Sequence, residues 1–287
     1  MTSTATSRPW SAASLRAHFL FVLILSLAVG GALYAIPSLG PSIWPYPMKS
    51  LATRFFASVF LAVAVASGFA LQEKARAPMR VLLVMGASVF GLILLAAAAD
   101  ASRFTLGALG VALWVLLFAA LSLFSLILLL RSRRDASADG PPVPRWLRAH
   151  FLLHTVVVLF FATPMLVAPS FEKQFWPWTV SDPIMRGIGG LFIGVALGTA
   201  WCWRQRSWDR VRLLLPVNVT FVSAVLLAVA VHWNVIASES PGWHVTAPWL
   251  LLYVYTALYP AYYLLRPPAR EAGALQATPA DDPRTDP

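Results

Sequence analysis

The chain has 287 residues, of which 59% are hydrophobic and only 12% charged, with a formal net charge of +10 and one cysteine. Soluble domains carry about a quarter charged residues, so this composition excludes a soluble enzyme, and the lone Cys202 excludes an internal disulfide. The positive charge calls for no nucleic acid, because its placement is explained by a membrane.

In chain order, residues 1–14 are rich in Ser, Thr and Ala and read as a disordered cytoplasmic tail. Apolar stretches follow at 17–36, 51–71, 79–99 and 107–130. Residues 131–146 contain Asp139-Gly140-Pro141-Pro142 and read as a linker. Four further apolar stretches lie at 150–168, 183–203, 213–235 and 247–265, and 267–287 reads as a second disordered tail. Each stretch has close to the roughly 20 residues that a helix needs to cross a bilayer core. None shows the alternation of a barrel strand. The expected fold is therefore an all-α integral membrane protein with eight transmembrane helices.

The two halves repeat each other. Residues 15–98 align onto 147–230 at a constant offset of 132, so that Leu15-Arg16-Ala17-His18-Phe19-Leu20 returns as Leu147-Arg148-Ala149-His150-Phe151-Leu152. Trp44-Pro45 returns as Trp176-Pro177, Arg54 as Arg186 and Arg80 as Arg212. Farther on the offset is 135, matching Trp114 to Trp249 and Leu130-Arg131 to Leu265-Arg266. Polar and aromatic matches at fixed spacing require duplication rather than shared hydrophobicity. The repeats are 15–130 and 147–266, each with four helices. An even number gives both copies the same orientation, which predicts a pseudo-two-fold axis along the membrane normal. The first stretch resembles a signal peptide, but its internal counterpart cannot be one, so it is expected to be retained.

Seventeen of the 22 basic residues fall in segments on one side of such a membrane, leaving Lys49, Arg54, Arg103, Lys173 and Arg186 on the other. The positive-inside rule then places both termini in the cytoplasm of a plasma (inner) membrane protein. Membrane lipids are the expected partners, with a second membrane protein as a further possibility.

The sixth stretch carries Arg186, Gly190, Gly194 and Gly198 at steps of four, and the second carries Arg54, Ser58, Ala62 and Ala66. Residues four apart share a helical face, and small residues there allow membrane helices to approach closely. Arg54 and Arg186 lie on those stripes. They either snorkel to headgroups or turn inward as a symmetric pair needing a carboxylate or an anion. Candidate carboxylates are Asp100, Glu172, Asp182 and Glu239. Asp100 aligns with His232, and Trp44 with Trp176, which gives a candidate ligand-binding set of Arg54, Arg186, Asp100, His232, Trp44 and Trp176. His18 and His150 are read as interfacial residues rather than haem ligands, with His154 one turn deeper than His150 on the same face, and Asn218 as a residue that bonds across helices. No spacing points to a metal site, a cofactor or a catalytic group.

The segment 175–265, with Phe175-Trp176-Pro177-Trp178, Asp182-Pro183, Arg186 and Trp208-Asp209-Arg210-Val211-Arg212, resembles a group of uncharacterised bacterial multi-pass membrane proteins with a Trp-Pro-Trp element. That resemblance implies no activity. Functionally, the absence of acidic residues and lysine from the middle of every stretch argues against an ion-coupled pump, and no nucleotide-binding motif is present. The expectation is a passive or facilitative conduit for a small anionic or amphipathic solute. An accessory subunit of a membrane complex and an enzyme acting on a lipid-like substrate are the alternatives.

Overall fold

The structure, a computed structural model, describes residues 12–132 and 140–268. Most of the two tails expected from the sequence, and residues 133–139 of the linker, lie outside these residues. The described chain is helical throughout, with one isolated bridge between Pro142 and Ser207. Its long helices are α1 (Ala12–Ala35), α2 (Ser50–Gln72), α3 (Arg80–Ala98), α4 (Ala108–Arg131), α5 (Arg145–Val167), α6 (Asp182–Trp203), α7 (Leu214–Val231) and α8 (Trp243–Leu265). The first seven are long and apolar enough to cross a membrane, which makes this a multi-pass membrane protein in contact with lipid. Helix α8 is as long as α5 but dilutes its apolar residues with Trp, Tyr and two prolines, Pro248 and Pro260.

Local chemistry sets several boundaries. Pro183 occupies the first turn of α6, where a missing N–H costs nothing, and Asp182 faces the positive end of the helix dipole. Gly242 precedes α8 at φ 146°, a region that other residues rarely enter. The seventh apolar stretch is broken rather than continuous: α7 ends at Val231, His232 leaves the helical conformation, and a separate short helix runs Trp233–Glu239. Helix α5 begins at Arg145, five residues before its apolar run, because backbone hydrogen bonding does not stop where hydrophobicity does.

Consecutive helices pack as hairpins α1–α2, α3–α4, α5–α6 and α7–α8. Between hairpins, α2 packs on α7 and α3 on α6, with a lighter contact of α5 on α8. The helices most engaged across the sequence halves are therefore α2, α3, α6 and α7. Two apolar clusters follow. One surrounds Phe151, Leu83 and Leu214 at the end where the basic segments Arg204–Arg212 and Lys74–Arg80 lie, here called the basic end. The other, at the far end, surrounds Trp44, Phe55, Trp176 and Trp178.

The small-residue stripe of α6 is the closest helix contact on α3. A Cβ on Gly194 would lie 2.6 Å from Val89 Cα, and one on Gly190 would lie 2.8 Å from the Leu92 carbonyl oxygen. A Cβ on Gly198 would meet Met85 Cγ at 2.5 Å. A second face of α6 approaches α5, where Gly189 would meet Leu166 N at 2.7 Å. On α2, Ser58, Ala62 and Ala66 are all buried, and Ser58 Oγ bonds the Arg54 carbonyl at 2.8 Å.

Candidate functional site

Both stripe arginines turn toward protein rather than lipid, and both find partners across the sequence halves. Arg186, one turn into α6, donates through Nη1 to Asp100 Oδ2, just past the end of α3. Asp100 is 5% exposed, and Arg103 reaches its other oxygen at 3.8 Å. Arg54 donates through Nε to the Tyr34 carbonyl at 2.9 Å and through Nη1 to His232 Nε2. Burial, and then the Arg54 charge, hold the His232 pKa below its ordinary value, so the neutral ring accepts this bond. The Arg54–His232 contact ties α2 to the end of α7, and Arg186–Asp100 ties α6 to the end of α3. Around them, Lys49 bonds Glu239 at 2.7 Å and Lys173 bonds Asp182 at 2.7 Å. The four charged or ionisable residues expected to bind a ligand thus satisfy one another.

The open space lies elsewhere. A cavity of about 530 Å³ runs between α5, α6, α7 and α8, from Glu172 and His244 at the far end down to His154, Asn218 and Thr256. A smaller one of about 90 Å³ lies toward the basic end, bordered by His18, Ala62, Ala66, Ser67 and Gly86. Val195, Asn218 and Phe221 line both, and so form the wall between them. No Lys or Arg lines either cavity.

Of the sequence candidates, Trp176 lines the larger cavity, together with Trp249. Trp44 lines neither. It is buried with its ring 5.5 Å from Trp114 and 5.8 Å from Phe118, in a packed aromatic cluster. Arg54, Arg186, Asp100 and His232 also line neither cavity. Asn218, expected to bond across helices, has no hydrogen-bond partner on Nδ2, nor does His154 Nδ1 or the Tyr253 hydroxyl. All three residues line the larger cavity.

Sequence reasoning passed over Tyr253 and Trp249 and gave Glu172 no role of its own. A signal was present in the mismatches between halves: Glu172, His154, Asn218 and Tyr253 stand where the first half has Gly40, Val22, Gly86 and Phe118. Among the described residues, no three His, Cys, Asp or Glu side chains come together as a metal site would require. No family model, curated protein or solved structure matches the chain.

Proposed function

We propose that the chain spans the membrane eight times as two parallel four-helix repeats, with both termini cytoplasmic, and serves as a conduit for a small amphipathic solute. The eighth span is α8, whose 23 residues reach about 35 Å at 1.5 Å per residue, enough for a 30 Å core. The helix contacts support the repeat, since α1–α2 has its counterpart in α5–α6, α3–α4 in α7–α8, and α2–α7 in α6–α3. The arginine ties obey the same relation, one ending on Asp100 and the other on its aligned partner His232.

The observation that carries the conduit reading is the pair of cavities meeting at one wall. One is bordered by residues near the basic end and the other reaches the far end, with Val195, Asn218 and Phe221 between them. The shared lining consists of three residues, of which Phe221 has the bulkiest side chain, and Phe221 is the residue we assign as the barrier. The apolar walls favour an amphipathic solute over a small anion, because both stripe arginines are engaged and no basic side chain lines the path.

The test is uptake of small amphipathic dyes, cationic and neutral, into liposomes carrying the purified protein. Phe221→Ala should join the cavities and raise the rate, while Phe221→Trp should lower it. Uptake equal to that of protein-free liposomes for the wild type and both variants would refute the conduit.

A further inference from the structure

Glu172 ends the short helix Pro169–Glu172 and lines the larger cavity, yet it is only 6% exposed. Its side chain has no hydrogen bond or ion pair among the described residues. The adjacent Lys173 is spent on another acid, bonding Asp182 at 2.7 Å with Arg103 at 3.8 Å from the same carboxylate, and His244 lines the same end of the cavity without an ion pair to Glu172. A buried carboxylate without a counter-ion is costly unless something supplies positive charge. Burial raises the Glu172 pKa above its ordinary value, the response expected of an acid left without a partner.

The surroundings are suited to a particular kind of cation. Phe175, Trp176, Phe192, Phe221, Trp249 and Tyr253 line the same cavity, and aromatic faces attract positive charge. A metal ion would need several oxygen or nitrogen ligands, whereas this cavity offers one carboxylate in an apolar wall. Its volume of about 530 Å³ lies within the range that holds one small organic molecule. At its floor, His154 and Asn218 each lie 13 residues from the far ends of their helices, at Val167 and Val231. Thr256 lies equally far from Trp243, which puts the floor about 20 Å deep. The unpartnered Asn218 and His154 there can receive a second polar group.

The first half carries no such site. Gly40 stands in place of Glu172, and Thr53 occupies the space beside it, while Trp44 packs on Trp114 and Phe118. The duplicated scaffold thus acquired a carboxylate, a histidine and an amide around one cavity only.

We infer that the larger cavity binds one amphipathic organic cation, its charge against Glu172 and its apolar body between the aromatic side chains. This rests on the conduit reading only in using the same cavity, and it names the charge of the solute that reading leaves open.

The test is equilibrium dialysis of the purified full chain, in neutral detergent, against tetraphenylphosphonium and its isosteric anion tetraphenylborate. The cation should bind at least tenfold more tightly. Glu172→Gln should cost the cation at least tenfold in affinity and leave the anion unchanged, whereas Glu172→Asp should retain part of the preference. In the wild type, cation binding should weaken as acid neutralises Glu172, and this pH dependence should be smaller in Glu172→Gln. His244 and His154 line the same cavity and also gain charge in acid, so the carboxylate's share is the part of the pH dependence that Glu172→Gln removes and Glu172→Asp keeps. Equal affinity for the two ions, or cation binding indifferent to Glu172 and to pH, would overturn the inference while leaving the conduit untouched. Conversely, charge-selective binding without dye uptake would retire the conduit and keep the site.

Discussion

Replacing Gly194 by Ala adds one methyl group at the closest contact between α3 and α6. The new Cβ would lie 2.6 Å from Val89 Cα and 2.8 Å from Val89 N, so the obstacle is backbone, which cannot rotate aside. Ser88 Oγ also bonds the Gly194 carbonyl at 3.1 Å across this interface, holding the helices at their present distance. Overpacking at such a contact costs about 1–3 kcal/mol. Ala also favours helix over Gly by about 0.5–1 kcal/mol, which partly offsets that cost and confuses a single measurement. Gly68 in α2 supplies the control, because a Cβ there meets nothing within 4 Å. The helix preference is common to both substitutions and cancels in their difference. Unfolding of the two variants by denaturant in detergent should therefore place Gly194→Ala below Gly68→Ala by about 1–3 kcal/mol. Val89→Ala should not rescue it, since the Cα and N of residue 89 remain where they are. Equal stability of the glycine variants, or rescue by Val89→Ala, would refute the close approach of α3 and α6.

The ion pairs give a second contrast. Arg186→Gln leaves the buried Asp100 with only the more distant Arg103 and should cost on the order of 3 kcal/mol, whereas Arg103, 57% exposed, should cost under about 1 kcal/mol when replaced by Gln; denaturant unfolding measures both. His232 has a lowered pKa in the folded protein, so the unfolded chain takes up the proton first as pH falls through about 6.5. Stability should drop over that range, and His232→Gln, which keeps an acceptor for Arg54, should remove that part of the pH dependence in thermal unfolding. Glu172 has a raised folded pKa, so its contribution is present in acid and lost as pH rises through that value. Without a bound cation, Glu172→Gln should therefore be more heat-stable than the wild type at neutral pH and indistinguishable from it in acid.

The amino-acid sequence determined the long apolar helices and the close-packing stripes. Helix formation in an apolar segment is local, because every backbone hydrogen bond is satisfied within the segment, and length with composition is enough to reveal it. Even there, the break at His232 and the early start of α5 escaped, since neither is marked by a change in hydrophobicity. The stripes at steps of four made Arg54 and Arg186 legible as a candidate inward-facing pair, and the structure decided between that and snorkelling. The sequence offered them four carboxylates, Asp100 among them, but did not show that Arg186 would take it, 86 positions away, nor that Arg54 would end on a histidine and a carbonyl oxygen instead of an acid. Tertiary structure alone decided that α2 would pack on α7 and α3 on α6. A leucine facing lipid and one facing a neighbouring helix are alike in sequence, and the choice between them rests on backbone approaches such as Gly194 on Val89. The larger cavity is hidden for the same reason. Glu172, His154, Asn218 and Tyr253 come from four separate segments, and only the packing of α5, α7 and α8 brings them to line one space and leaves His154 Nδ1, Asn218 Nδ2 and the Tyr253 hydroxyl unpaired.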